Sequence, residues 1–385
     1  MQDELVRLRR DLHQNPETGW KEYRTSESVK AKLEQNKFSV VNNLAGGTGL
    51  YTDIPGKDPS QKNLCVAWRA DIDALPIDDE KEVPYKSQIP GKAHMCGHDV
   101  HTTVAYGIAR LLKEFEDVLP GTVRVFWQPA EEVQPSGAPA MIEDGVLNNV
   151  SAVFGMHCDP HNKAGYYSLR RGAETAAFDS FRYTIRGSST QHSARPHKGP
   201  DAMWVGHQLV QNLYQFTGRM IDAREATVMS VCMFNGGDAL NVIPRKVEVG
   251  GTVRTIEEGN RASIVSYLKK IGNSLAELHG VSIDLQIGLG APAVYNDERL
   301  FNFAHETVAE NVGNGIILPR DQSMGAEDFA FYSQQVPSLF LRVGTSNGPE
   351  TSHPLHSSLF DVDESVLAPT AAMGALLLIN RLAKM

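Results

Sequence analysis

Residues 93–103 read AHMCGHDVHTT, which gathers one cysteine, three histidines and one acid in a 385-residue chain that has four cysteines and thirteen histidines. Cys96 and His98 stand one residue apart, and Gly97 between them permits a tight turn from which both could reach one ion. A thiolate and an imidazole are borderline-soft donors suited to zinc and similar transition ions. A site needs further donors, and three other stretches offer them. TVRVFWQPAEE finishes on Glu131 and Glu132, SAVFGMHCDP holds His157, and TSHPLHSSLF holds His353 and His356. Adjacent carboxylates after a strand point in different directions. One can therefore ligate metal while its neighbour takes the proton of an attacking water, the division of labour that metal-assisted hydrolysis needs. Two other readings compete. Cys96 could be a nucleophile with His98 or His101 as its base, which leaves Glu131, Glu132 and His157 idle. The cluster could also be polar residues satisfied in an ordinary core, as single buried cysteines and histidines usually are.

These residues must be carried to one place. Leu5, Leu8 and Leu12 recur at helical spacing, residues 63–70 form a short apolar run, and residues 100–115 place Ala105, Ile108, Leu111 and Leu112 on one helical face. Residues 122–129 read as a strand, APAMIEDGV as a short helix stopping near Gly145, and residues 151–158 as another strand. This alternation predicts an α/β fold with a mostly parallel sheet and helices on both faces. Ligands of such sheets collect at the carboxyl ends of the strands. From Asp179 the texture changes: Phe181, Tyr183 and Ile185 alternate with Arg182, Thr184 and Arg186, as in a sheet with one wet face. A helix (about 200–217), strands (about 227–233 and 246–253), a helix (about 261–277) and a strand (281–288) follow. That order is the βαββαβ of a ferredoxin-like module. Helices near 298–311, 325–334 and 364–383 and a strand at 338–344 then resume the first pattern. The map is one α/β domain built from 1–178 and 295–385, interrupted by an inserted module at 179–294.

The chain's length exceeds what one core usually supports, in keeping with two domains. Hydrophobic content of 41% and charged content of 22% are ordinary for a globular protein. A net charge of -9 without a dense basic block argues against nucleic acid or an anionic membrane as partner and for a small molecule. The N-terminal MQDELVRLRRDLHQ has no apolar core of a signal peptide, and Cys65, Cys96, Cys158 and Cys232 follow no disulfide spacing, so a cytoplasmic protein is expected. The apolar run LAPTAAMGALLLI is shorter than the ~20 residues of a membrane span and reads as a buried helix.

The blocks RADIDALP, MCGHDVHTT, WQPAEE, FGMHCDP, NVIPRKVEVGGTVRT, GAEDFAFY and LHSSLF occur in the order seen in amidohydrolases of the M20 metallopeptidase family. The chain resembles that family from about residue 6 to 380, most closely its subfamily D of aminoacylases, hippurate hydrolases and auxin-conjugate hydrolases. The resemblance implies two divalent ions (Zn, Mn, Co or Ni) held by Cys96, His98, Glu132, His157 and His356, with Glu131 as general base. It implies that the inserted module is a lid that also forms a homodimer. His192 takes the place of the family's lid histidine, which reaches the tetrahedral intermediate, and Asn241 of NVIP that of a substrate contact. Two stretches depart from the family's glycine-rich pattern, GSSTQHS before His192 and EEVQPSGAPAM after the glutamates. Beside this, Asp71 and Asp73 are candidates to orient ligands from behind, and Asp99 to cap a helix beginning near Val100. Glu327 and Asp328 are candidates for either role at the helix expected over 325–334. Arg254, with Arg245 and Arg195, is a candidate for a substrate carboxylate. The expected reaction is hydrolysis of the amide bond of an N-acyl amino acid or a related small amide. The alternatives are a dipeptidase or carboxypeptidase of the same family and a small-molecule binding protein on the same fold.

Overall fold

The computed structural model describes residues 1–56, 64–187 and 191–385. Asn63, at the head of the expected 63–70 strand, and residues 188–190 of the GSSTQHS stretch lie outside the described residues. The chain divides into two units. Unit 1 comprises Met1–Glu174, Tyr295–Asp321 and Asp328–Met385, and unit 2 comprises Thr175–Val294 and Gln322–Glu327.

Unit 1 carries strands β1 (Val40–Leu44), β2 (Gly49–Ile54), β3 (Cys65–Asp71), β4 (Thr122–Gln128), β5 (Val150–Lys163), β6 (Tyr167–Leu169) and β7 (Gly172–Ala173). After the chain returns from unit 2 it adds β14 (Tyr295–Asn296), β15 (Ile317–Pro319) and β16 (Ser338–Ser346). Its helices are α1 (Gln2–Gln14), α2 (Tyr23–Gln35), α3 (His98–Glu114), α4 (Gly137–Glu143), α7 (Glu298–Asn311), α8 (Ala330–Ser333) and α9 (Leu367–Ala383). The main sheet runs β1-β2-β4-β3-β5-β16-β6-β15. Its centre, β4-β3-β5-β16, is parallel throughout, while β1, β2 and β6 add antiparallel pairs. The central strands are apolar runs covered on both faces, as parallel sheets require: Val66, Trp68, Val123, Val125, Trp127, Phe154, Leu339 and Leu341 are all buried. Helices α3 and α9 pack on β3 and on each other, and Leu5, Leu8 and Leu12 of α1 join the same core.

Several details differ from the sequence reading. Strand β5 does not end at Cys158; it continues to Lys163 because β16 goes on pairing with it, Gly344 with Asp159 and Ser346 with Lys163. Register nevertheless keeps His157 at the carboxyl edge of the centre. Asp71 faces Gln128 on β4, and Arg69 faces Gly155 on β5, so His157 lies level with Asp71 and Gln128, the last residues of β3 and β4. The helix expected over 325–334 is reduced to Ala330–Ser333. Gly325 spends its carbonyl on Ala176 N–H, and Asp328 is held by Arg69, Gln128 and Ala138 N–H, so the preceding backbone pairs elsewhere instead of coiling. At the C-terminus, Glu364–Ala383 is, by length and composition, long and apolar enough to cross a membrane, unlike the 367–379 run alone. More than half of it is buried inside the protein.

Unit 2 carries β8 (Ala177–Arg186), β9 (Gln191–His192), α5 (Ala202–Met220), β10 (Thr227–Asn235), β11 (Val242–Ile243), β12 (Lys246–Thr255), α6 (Glu258–His279) and β13 (Ser282–Leu289). The four long strands form an antiparallel sheet, β10-β12-β8-β13. Their order with α5 and α6 is βαββαβ. Phe181, Tyr183 and Ile185 of β8 are buried with Leu209, Leu213, Ile264 and Leu268 of the two helices, while Arg182 and Arg186 are exposed. Strand β13 is an edge of this sheet.

Candidate metal centre

Gly97 adopts φ +87, and that left-handed residue both turns the chain between Cys96 and His98 and starts α3. The helix therefore begins at His98, two residues before the expected start, and Asp99 lies inside its first turn. Asp99 is not an N-cap. Its carboxylate instead accepts from Arg9 Nε at 2.8 Å and His13 Nδ1 at 2.7 Å, a buried ion pair that ties α1 to the turn bearing His98.

The two buried imidazoles are oriented alike. His98 donates Nδ1–H to the Asp73 carbonyl at 2.9 Å and to its Oδ1 at 3.2 Å, and His157 donates Nδ1–H to the Cys158 carbonyl at 2.8 Å. Each is thereby left with Nε2 pointing into the cluster, the arrangement that metal-ligating histidines use. His157 Nε2 lies 3.3 Å from Cys96 Sγ. His98 Nε2 lies 4.0 Å from Glu132 Oε1, which is 3.4 Å from His356 Nε2. Cys96, His98 and His157 form one group of potential ligand atoms within 4.8 Å of one another; Cys96, Glu132 and His356 form a second, and His98, Glu131 and Glu132 a third. His98 Nε2 and Glu132 Oε1 are buried and make no hydrogen bond among the described residues. Such atoms are costly to bury unless something else satisfies them, and a divalent cation would. The donor set therefore fits a metal.

His356 is placed by its backbone: its N–H donates to the Met95 carbonyl at 2.7 Å, and it holds φ +66, a conformation unfavourable for a residue with a Cβ. Its side chain is half exposed. His353 joins none of these groups. Glu131 and Glu132 follow the turn at Ala130, whose N–H is taken by the buried Glu22 carboxylate at 2.9 Å. Glu22 also accepts from Thr48 and Trp20 N–H. Asp73 accepts from Glu132 N–H at 3.0 Å through Oδ2, so one carboxylate fixes both His98 and Glu132. Asp71 is clamped between Arg69 Nη1 at 2.7 Å and His101 Nδ1 at 2.5 Å and lies 3.5 Å from His98 Nε2. His101 in turn accepts Cys158 N–H at 3.0 Å.

The electrostatics follow from this crowd of acids. Burial pushes the Cys96 thiol well up, and Glu132, Glu131 and Asp71 add to it. A cysteine nucleophile needs the opposite. Burial disfavours the charged form of His98, yet Asp71 and Asp73 outweigh it and raise that imidazole to about 10. A proton and a metal ion thus compete for Nε2. His157 goes the other way: burial, aided by the Arg342 charge, holds it neutral with its lone pair available. Burial works to raise Asp71, but Arg69, His98 and His101 keep it well below the carboxylate range.

Sequence reasoning passed over several of these groups. Arg69 bridges Asp71 and Asp328, with Gln128 accepting from Arg69 Nε and donating to Asp328, and a charged residue inside the apolar run NLCVAWRA was the available signal. Arg342 in SLFLRVG is a second such case. Glu22 carried no signal beyond its type, and His101, weighed only as a base for Cys96, instead holds Asp71 and accepts Cys158 N–H. His94 is fully buried without a hydrogen bond among the described residues, and burial lowers it to about 3.

In unit 2, His192 and Asn241 are brought together. His192 faces Val242 across the β9–β11 pair, and Ser193 N–H donates to the Asn241 carbonyl at 3.0 Å. Both side chains are exposed. Arg254 on β12 donates Nη1–H to the Met324 carbonyl at 2.8 Å and lies over the Phe178 ring.

The family model for peptidases M20/M25/M40 matches residues 67–380. An N-acetylcysteine deacetylase of Bacillus subtilis is 34% identical over 94% of this chain and 93% of its own length. A thermostable carboxypeptidase of Saccharolobus solfataricus is 33% identical over 99% and 96%. Among solved structures, a dinuclear metal binding peptidase of family M20 from Bacillus subtilis is 31% identical, covers 100% of this chain and 99% of its own, and superposes with a TM-score of 0.87.

Proposed function

The chain belongs to peptidase family M20/M25/M40 and is a metal-dependent amidohydrolase, and on that premise we propose that it cleaves the amide bond of N-acyl amino acids. The observation that carries the reading is the pair of buried imidazoles, His98 and His157, each fixed through Nδ1–H so that Nε2 meets Cys96 or Glu132. Cys96, His98, Glu132, His157 and His356 would hold two divalent ions, Zn, Mn, Co or Ni. Bound there, the ions would acidify a water and polarise the scissile carbonyl.

Glu131, beside the ligand Glu132, takes the proton of the attacking water on a carboxylate oxygen and returns it to the nitrogen of the departing amine. His192 accepts Ala194 N–H on Nδ1 at 3.1 Å, which leaves Nε2–H as its donor. That donor serves the oxyanion of the tetrahedral intermediate, a contribution of about 3–4 kcal/mol by comparison with other oxyanion donors. Asn241 and Arg254 are the further unit 2 contacts to substrate. Asp71 and Asp73 keep the ligands aimed.

Unit 2 would act as a lid and join two copies of the chain in a homodimer. Support comes from its edge strand β13, where Ile283, Leu285, Ile287 and Leu289 line a cavity of about 520 Å³ with Val265 of α6. The free cysteines suit a cytoplasmic location. The deciding experiment is a panel of N-acetyl, N-benzoyl, indoleacetyl and long-chain acyl amino acids with several dipeptides, each assayed with Zn, Mn, Co and Ni and after chelation. Metal-restored hydrolysis of the acyl amino acids is expected; preference for the dipeptides would favour the carboxypeptidase or dipeptidase reading. Activity that resists chelation and succumbs to thiol alkylation would refute the metal reading.

A further inference from the structure

Arg342 on β16 is the register partner of His157 on β5. Partners on parallel strands send their side chains to the same face, about 4.8 Å apart, so this guanidinium shares the face that carries a proposed ligand. Phe340, two residues earlier, lies beside both. Its ring centroid is 6.4 Å from that of His157 and 5.2 Å from the guanidinium carbon of Arg342. The arginine is 7% exposed, and its orientation is fixed from behind by Glu174, itself fully buried, which accepts from Arg342 Nε at 3.1 Å. Glu174 also lies 2.8 Å from Arg320 Nε, and Arg320 Nη1 reaches Asp159 at 2.5 Å. Neither Nη group of Arg342 makes a hydrogen bond among the described residues. The guanidinium is nearly buried while its fork is spent on no described residue, so both Nη groups are available to a partner from outside the chain.

We propose that Arg342 is a specificity-determining residue that grips the carboxylate of the substrate's amino-acid portion with Nη1 and Nη2. The inference rests on the N-acyl amino acid reading above. In such a substrate only the amide nitrogen and the α-carbon separate the scissile carbonyl from the carboxylate. A cation one strand spacing from His157 is within that reach. The planar fork matches a carboxylate in two parallel hydrogen bonds, which a lysine cannot reproduce. Glu174 is the positioning residue, since its hold on Nε turns the fork outward. Arg254, one of the three cations the sequence offered, spends Nη1 on the Met324 carbonyl and stacks on Phe178.

The test compares an N-acetyl amino acid with its C-terminal carboxamide, which differs only in the charged group. Wild type, Arg342→Met, Arg342→Lys and Arg254→Met are assayed for kcat/KM on both, with metal content and unfolding midpoint as controls. The acid-over-amide ratio should fall about 30-fold in Arg342→Met, mainly through KM, and by an intermediate factor in Arg342→Lys. A ratio in both Arg342 variants within about threefold of wild type, or a fall confined to Arg254→Met, overturns the assignment. If Arg342→Met does not fold, Arg342→Lys carries the same ratio test. Absence of wild-type turnover on acid and amide alike would overturn the N-acyl amino acid reading and this inference with it; an unchanged ratio beside good turnover overturns this inference alone.

Discussion

Replacing Asp73 by alanine tests whether one buried carboxylate organises the centre. Asp73 accepts from His98 Nδ1–H at 3.2 Å and from Glu132 N–H at 3.0 Å, so its loss frees two proposed ligands at once. His98 retains the Asp73 carbonyl at 2.9 Å, which survives the substitution, so its ring keeps one anchor. Groups that orient ligands typically contribute 10–100-fold in metal affinity. The residual carbonyl argues for about 30-fold in Asp73→Ala, or about 2 kcal/mol. Asp73→Asn preserves an acceptor for Glu132 N–H and should lose about 10-fold or less. Competition with a chelator of known affinity, followed by calorimetry, reads both values. Affinity in Asp73→Ala within about twofold of wild type would refute the claim that Asp73 holds His98 and Glu132 in place.

Three further outcomes are expected. Gly97→Ala must hold φ +87 with a Cβ 2.8 Å from Cys158 Sγ, so its urea midpoint should drop by at least about 1–2 kcal/mol of stability; a midpoint equal to wild type would contradict the left-handed turn. Leu285→Asp on the β13 edge should turn a dimer into a monomer by light scattering, and a wild-type mass that is already monomeric removes the proposed interface. Because the Cys96 thiol is raised and His98 is raised to about 10, both carry protons at neutral pH that metal must displace. Metal affinity should therefore rise with pH from 6 to 9, with protons released to buffer in calorimetry. Affinity flat across that range would contradict the assigned ligands.

The candidate ligands were legible as candidates because their chemistry is rare and their neighbours punctuate the chain: cysteine, histidine and paired glutamates beside apolar runs. The βαββαβ order was legible through the alternation at Phe181, Tyr183 and Ile185 and the helical spacing around it. What the sequence hid are interactions that close over long separations. Arg9 and His13 meet Asp99 some ninety residues away, and Arg69 meets Asp328 across 259 residues, pairings that no local pattern encodes. Asp99 was misread as a cap because the sequence does not reveal that Gly97 is left-handed. The extension of β5 was hidden by Asp159 and Pro160, which read as a loop yet continue the strand because β16 supplies its partner.

Glu131→Gln bears most directly on the central claim, since it removes a base while leaving every proposed ligand. Metal content by mass spectrometry and kcat on the best N-acyl amino acid are measured on the same sample. Two ions per chain with kcat lowered by about 100-fold or more is the expected result. Turnover close to wild type, with metal retained, would contradict the assignment of Glu131 and with it the proposed mechanism.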